Sequence, residues 1–171
     1  TFMIGDEGAA VQRDPKLRLA VISAPVTWWM EFTEQWDPAS PWHDRRVRLA
    51  ANLAIDKQAM IEATGVGLNR PTGSIIPRAL AFALPYEPFP YDPAQAKRLL
   101  AEAGYPQGFD AGDLTPFPPT LRIAEAVAND LAAVGIRTHL RLLERATWNR
   151  AWREKQVKGL LLAESPTLGN A

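Results

Sequence analysis

The amino-acid sequence predicts an α/β fold in which a mixed β-sheet is flanked by helices, as a two-layer or three-layer-like unit. The second half of the chain alternates helix-like and strand-like segments, an order that favours partly parallel strands. Apolar residues between 121 and 131 recur at helical spacing, whereas residues 136–143 alternate between two faces. A chain of 171 residues can also bury a real core. We therefore expect residues 1–171 to form a single α/β unit.

The first predicted elements are two strands. Residues 16–23 alternate and then become apolar, and residues 27–33 are rich in aromatic and β-branched side chains. In the second strand Trp28, Met30 and Phe32 share one face because successive side chains of a strand point to opposite sides. We expect this face to meet the core.

Aspartates mark the predicted helix starts in the middle of the chain. Asp44 is the expected N-cap of a helix over 44–53, and a further helical segment spans 56–63. An Asp-Pro pair at 92–93 starts another helix, which Gly104 ends. Between these helices, residues 68–91 hold five prolines and no periodic pattern, which predicts a long ordered loop.

The last third of the chain alternates strands, helices and one tight loop. Trp148 and Trp152 lie four residues apart and so share one face of a short helix. The predicted elements are, in order, a strand over 109–114, a loop over 115–119, a helix over 120–133, a strand over 136–143, a helix over 146–156 and a strand over 159–163.

Composition excludes several classes of function. Nineteen basic residues balance nineteen acidic ones, so the chain as a whole lacks the positive charge expected of a nucleic-acid-binding protein. There is no cysteine, which removes disulfides, thiol nucleophiles and cysteine-based metal sites. The two histidines, His43 and His139, are far apart in sequence and make a poor case for a metal site. We expect no metal and no cofactor.

Catalytic motifs are also missing. The chain has no Gly-x-Ser-x-Gly elbow and no phosphate-binding loop, and the glycines near residue 65 do not complete a dinucleotide fingerprint. Its carboxylates are interpreted as solvated faces and helix caps, since nothing in the sequence pairs them for acid–base work. The sequence therefore predicts a protein that is not an enzyme.

Several segments together resemble one family. They are the Val-Arg-x-Ala-x-x-x-Ala-Ile-Asp run at 47–56, the segment 67–77, the Tyr-Asp-Pro to Ala-Gly-Tyr-Pro run at 91–106, and the helix-to-strand passage at 126–143. Their order and spacing are similar to the extracellular solute-binding proteins of family 5, the oligopeptide-, dipeptide- and nickel-binding components of ABC importers. The resemblance covers nearly the whole chain but only about a third of a family member.

The resemblance implies one lobe of a periplasmic binding protein, in which two α/β lobes close on a ligand. We expect a first lobe and a signal peptide upstream of this fragment, and a periplasmic location. The expected partners are a peptide or small polar solute shared with that first lobe, and the ABC permease of the inner membrane. An interaction or sensor module that kept the fold and lost transport is the alternative.

The resemblance also points to candidate ligand-binding residues. The loop after the strand over 109–114 faces the cleft in many relatives, which makes Thr115, Phe117 and Thr120 candidates. Relatives that bind peptides place an aspartate after a Gly-Trp pair near the last strand, and this chain lacks both. Glu164 could supply the carboxylate instead, with Ser165 beside it.

Tryptophan supplies the remaining candidates. Six tryptophans in a chain of this length are unusual, and indoles often line binding surfaces. Trp29, Trp36 and Trp42 are interpreted as the better surface residues, and Trp29 and Trp36 are kept as ligand-binding candidates. The alternative for each is packing. Trp28, Trp148 and Trp152 are assigned to the core or its rim.

Overall fold

A computed structural model describes residues 11, 13–18, 26–64, 69–77, 80 and 83–165. Strands and helices follow each other in an order that becomes alternating after the third helix. The elements are β1 (Thr27–Phe32), α1 (Arg45–Ala54), α2 (Lys57–Thr64), α3 (Pro93–Glu102), β2 (Phe109–Pro116), α4 (Leu121–Ala133), β3 (Ile136–Leu140), α5 (Arg145–Arg153) and β4 (Leu160–Ser165), with 3₁₀ turns at Pro41–His43 and Pro118–Thr120.

The described strands form one mixed sheet in the order β1-β4-β2-β3. β2 pairs in parallel with both β3 and β4, whereas β1 pairs antiparallel with β4. The prediction of a mixed sheet flanked by helices is therefore confirmed. β1 lies at one edge of the sheet because its only described partner is β4, where Thr27 pairs with Ser165 and Phe32 with Leu160.

Helices cover both faces of the sheet, which gives the three-layer-like arrangement. The larger core joins α1, α3 and α4 to one face, where Leu114, Leu160 and Leu162 point inward. The opposite face carries a smaller cluster in which Leu161 and Ala163 pack with Trp148 of α5. Alternation along β4 explains the division, since its successive side chains enter different cores.

The predicted helix starts at Asp44 and Asp92 are confirmed. The Asp44 carboxylate accepts a hydrogen bond from the Arg46 amide at 2.7 Å, and the Asp92 carboxylate accepts one from the Gln95 amide at 2.8 Å. Each bond satisfies an amide that has no partner inside its helix. Gly104 follows α3 with a φ of +96°, a conformation that glycine adopts without strain.

The long proline-rich segment is anchored on the first two helices. Its described residues form neither helix nor strand, as predicted. The Lys57 Nζ atom donates to the carbonyl oxygens of Asn52 at 2.7 Å and of Phe89 at 3.5 Å, and the Asp92 amide donates to Leu53 at 2.8 Å. Burial lowers the pKa of the Lys57 ammonium.

Some boundaries and faces differ from the predictions. The predicted strand over 16–23 is not a strand at residues 16–18, and its remainder lies outside the described residues. β2 continues through Pro116, so the expected loop over 115–119 is partly strand. β3 already ends at Leu140. Hydrogen bonding to the neighbouring strands decides these ends, and local sequence does not report it.

Trp42 was assigned to the wrong environment by sequence. Trp42, interpreted as a surface residue, is buried between Phe32 and Phe109, with ring centres 4.8 and 5.4 Å away. Of the three tryptophans assigned to the core or its rim, Trp148 is buried, whereas Trp28, on the edge strand β1, and Trp152 are each 36% exposed. No helix of the described part is both long and apolar enough to cross a membrane.

Candidate ligand-binding edge of the sheet

The order of the strands reverses at the carboxyl ends of β2 and β4. From β2 the chain runs through α4 to β3, which lies on one side of β2 in the sheet. From β3 it runs through α5 to β4, which lies on the other side of β2. The two connecting helices pack on opposite faces of the sheet. Ligands of open α/β sheets bind at such a reversal of strand order, outside the carboxyl ends. We call this region the carboxyl edge, and β1 reaches it with its first residue, Thr27.

The end of β2 and the last residue of the 3₁₀ turn after it are buried. Thr115, Phe117 and Thr120 expose 0, 6 and 1% of their surface. The Phe117 amide donates to the carbonyl oxygen of Leu162 at 2.8 Å, which ties the segment to β4. The Thr120 hydroxyl donates to the Phe117 carbonyl oxygen at 2.7 Å. The three predicted side chains are thus close together, but inside the lobe.

An aromatic cluster lies beneath the carboxyl edge, on the face that α5 covers. The Phe117 and Trp148 ring centres are 5.1 Å apart, those of Trp148 and Trp152 are 5.4 Å apart, and Trp29 lies 6.5 Å from Trp152. The guanidinium of Arg145 lies 5.2 Å from the Phe117 ring centre, a cation–π contact. We call these four rings the second-face cluster. Its contact with Arg145 places a cation beside the carboxyl edge.

The second-face cluster holds polar atoms without partners. Within the described part of the chain, Trp29 Nε1, Trp148 Nε1 and Thr115 Oγ1 are buried and make no hydrogen bond. Thr115 belongs to the same face because it pairs with Leu161. A buried donor without a partner costs about 1–3 kcal/mol. These polar atoms could form hydrogen bonds, but no described residue of the lobe bonds to them.

On the other side of the carboxyl edge, Glu164 is held by Trp28. The two residues pair across β1 and β4, and the Trp28 indole Nε1 donates to the Glu164 carboxylate at 3.4 Å. Both remain partly open to solvent. The Ser165 backbone pairs with Thr27, and the Ser165 side chain lies outside the described part. This edge therefore offers one accessible, oriented carboxylate.

Trp36 is not brought to the same place. Its side chain is 83% exposed, but it follows the end of β1 that pairs with the first residue of β4. That end is opposite to the carboxyl edge, about 20 Å away for a six-residue strand. Of the predicted tryptophans, only Trp29 lies beneath the carboxyl edge.

The described residues offer no metal centre at this edge or elsewhere. No group of three or more histidine, aspartate or glutamate side chains in the described ranges could hold a metal ion. The pKa of Asp44 is lowered by its hydrogen bond with Arg46, and that carboxylate caps α1.

Sequence reasoning missed two features of the site. The second-face cluster was visible only as the spacing of Trp148 and Trp152, because its other rings come from β1 and from the end of β2. The pair of Trp28 and Glu164 joins residues 136 positions apart. Only the strand order brings these groups together, and the sequence does not state that order.

Comparison with known proteins identifies the family. The family model of the bacterial extracellular solute-binding proteins, family 5 Middle, matches residues 4–166. The chain belongs to this family. The resemblance drawn from the sequence motifs is thereby confirmed, and the family is an extracellular one by its description.

Individual family members show what the chain is similar to. It is 33% identical over 106 residues to the glutathione-binding protein GsiB of Salmonella choleraesuis, which covers 61% of this chain and 21% of that protein. It is 31% identical over 156 residues to the heme-binding protein A of Haemophilus influenzae, covering 87 and 28%. The chain thus spans less than a third of these relatives.

A solved structure shows the same fold. The periplasmic binding protein DppA of Helicobacter pylori, in complex with the peptide STSA, superposes with a TM-score of 0.80 at 22% identity. The match covers 95% of this chain and 31% of DppA. The mixed sheet with helices on both faces is therefore a known component of periplasmic binding proteins.

Proposed function

We propose that this chain is the ligand-binding lobe of an extracellular solute-binding protein that serves an ABC importer. Its ligand is a peptide or another small polar solute. The observation that carries the proposal is the reversal of strand order between β2 and β4, in a chain whose family binds solutes. The matched relatives are named for glutathione and heme, and DppA holds a peptide.

The carboxyl edge suits a ligand that carries both charges. Glu164, oriented by Trp28, can accept hydrogen bonds from an ammonium group, and Arg145 on the other face can pair with a carboxylate. Phe117 lies buried under Arg145 and restrains it. A peptide or amino-acid derivative has both groups. The protein performs no reaction on this ligand and uses no cofactor.

The rest of the proposed protein completes the site. Because the chain spans about a fifth to a third of its relatives, the sequence outside it supplies a first lobe that closes over the ligand. That protein carries a signal peptide, works in the periplasm and delivers its ligand to the inner-membrane permease. One lobe provides only part of the contacts, so this chain alone binds weakly.

Ligand-induced thermal shifts of the intact gene product test the proposal. Peptide, amino-acid and sugar mixtures are screened, and a true ligand at about one hundred times its Kd adds about 2.7 kcal/mol to the free energy of unfolding. Titration calorimetry of the 171-residue chain with the same ligand should give little or no heat. No shift with any solute class would contradict transport and favour the sensor alternative.

A further inference from the structure

The last helix and the turn after it form a strongly basic surface. Residues 144–158 contain five basic side chains and two acidic ones, although the whole chain has balanced charge. All five basic side chains are exposed, and none forms an ion pair with a described residue. We call this surface the basic face; its residues are Arg145, Arg150, Arg153, Lys155 and Lys158.

The acidic neighbours do little to neutralise this surface. The Glu144 carboxylate caps α5, accepting from the amides of Ala146 at 3.0 Å and Thr147 at 3.3 Å. Glu154 is the exposed residue that follows the helix. Arg141, just before α5, forms an ion pair with Asp113 at 3.4 Å and so adds no net charge to this surface. Residues 144–158 thus keep a net charge of three positive units, although the Glu34 carboxylate lies next to Lys158, where it accepts from the Gly159 amide at 3.1 Å.

An indole lies within the basic face. Trp152 is 36% exposed and packs its other side against Trp148 and Trp29, so its position is fixed. Trp152 and Arg153 also line a shallow groove with Asn149. Exposed tryptophans and basic side chains together favour the interface between water and an anionic bilayer, where the ring enters the headgroup layer.

We propose that the basic face binds the surface of membranes that contain anionic phospholipids. The charge complementarity is direct, because each lysine or arginine near such a surface contributes about a fivefold gain in binding. The interaction is peripheral and reversible. Of its five basic residues only Arg145 is also assigned to the carboxyl edge. The interaction would hold a binding protein near the membrane where an importer works.

Vesicle sedimentation of the 171-residue chain tests this proposal. Vesicles of phosphatidylcholine mixed with phosphatidylglycerol should bind the chain, and vesicles of phosphatidylcholine alone should bind it at least tenfold less. Added salt should weaken the binding to the mixed vesicles, because screening acts on exposed charges. Absence of binding to the mixed vesicles, or equal binding to both kinds, overturns the proposal.

Two double variants separate this face from charge in general. Arg150→Glu with Arg153→Glu should reduce binding to the mixed vesicles on the order of tenfold or more. Lys97→Glu with Arg98→Glu makes the same change of charge on exposed residues of α3 and should retain most of the binding. Equal losses in both variants would overturn the assignment to α5. Circular dichroism checks that each variant is folded.

A soluble acidic polymer tests the competing class of partner. If the chain binds polyglutamate, loses that binding on Arg150→Glu with Arg153→Glu, and does not bind the mixed vesicles, the basic face serves an acidic protein. That outcome overturns the lipid proposal. A Trp152→Phe variant that binds the mixed vesicles less tightly, with unchanged binding to polyglutamate, would support it.

Discussion

Trp28 and Glu164 lie directly opposite each other on two antiparallel strands, and the indole Nε1 donates to the carboxylate at 3.4 Å. Both side chains are accessible, so the bond orients Glu164 and leaves the carboxylate able to accept further hydrogen bonds. An oriented carboxylate at the carboxyl end of a strand is a suitable group for holding an ammonium ion. This relationship, which rests on strand pairing alone, makes Glu164 the candidate that is easiest to test.

Glu164→Gln should weaken ligand binding by the intact protein about tenfold or more. The change removes one charge, and hydrogen bonds to charged groups contribute about 1.5–3 kcal/mol. Its effect on the free energy of unfolding should be small because the pair is exposed. Titration calorimetry with the identified ligand measures the affinity. Glu125→Gln, an exposed carboxylate of α4, is the matched control, and an affinity unchanged by Glu164→Gln would remove this residue from the site.

Gly108→Ala should destabilise the lobe by about 3 kcal/mol or more. Gly108 has a φ of +72°, and an added Cβ would collide with the carbonyl oxygen of Gly135, which accepts a hydrogen bond from the Phe109 amide at 3.0 Å. The collision would separate the starts of β2 and β3. Chemical denaturation measures the change in the free energy of unfolding.

Gly104→Ala is the control that isolates backbone strain. Gly104 also has a positive φ, +96°, but nothing lies within 4 Å of its added Cβ. The expected cost is therefore that of a left-handed residue alone, about 1–2 kcal/mol. If both variants lower the free energy of unfolding equally, the close approach of Gly108 to Gly135 does not contribute to the destabilisation.

The sequence predicted those elements well whose formation depends only on residues near one another in the chain. Asp44 and the Asp92-Pro93 pair correctly predicted two helices, because an N-cap side chain bonds only to amides of the next few residues. The apolar periodicity of residues 121–131 correctly predicted α4, because the apolar stripe of a helix can be recognised within one segment. Family motifs then supplied what no local rule contains, namely the relation to a binding protein.

The site was harder to predict because its geometry depends on strand order. Thr115 and Phe117 were expected in a tight loop that faces the cleft, but Thr115 pairs with Leu161 within β2 and the Phe117 amide bonds to the Leu162 carbonyl oxygen. Trp42 was misplaced since its partners, Phe32 and Phe109, come from two separate strands. Such contacts are determined by topology, which periodicity does not encode.

The cap of α1 should make stability depend on pH in the acid range. The hydrogen bond with Arg46 lowers the pKa of the Asp44 carboxyl below its usual value of 3.8. The folded state therefore favours the ionised form, and this contribution is fully present above pH 3.8. It is lost as the pH falls through the lower pKa of the folded state. Thermal melts of the wild type and of Asp44→Asn across this range measure the loss.

Two substitutions at Asp44 distinguish charge from capping. Asparagine is as good an N-cap as aspartate, so Asp44→Asn should differ from the wild type above pH 3.8 and converge with it in stronger acid. Asp44→Ala should lose about 1 kcal/mol, and part of that loss should persist in acid because the cap is gone. A constant difference between Asp44→Asn and the wild type would contradict the pKa assignment.

Thr115→Val should leave the lobe as stable as the wild type, or stabilise it by about 1 kcal/mol. The Thr115 hydroxyl is buried and makes no hydrogen bond with a described residue, so its removal relieves a desolvation cost without losing a contact. Valine has nearly the same shape. Chemical denaturation of the 171-residue chain measures the effect.

Thr120→Val is the matched comparison, because this buried hydroxyl donates to the Phe117 carbonyl oxygen at 2.7 Å. Thr120→Val should lower the free energy of unfolding by about 1 kcal/mol, the net contribution of one hydrogen bond. If Thr115→Val costs as much as Thr120→Val, the Thr115 hydroxyl has a partner such as a bound water. If Thr115→Val preserves stability but lowers ligand affinity in the intact protein, the unused hydroxyl is kept for the ligand. That combination would separate a binding residue from a structural one within five positions of the same segment.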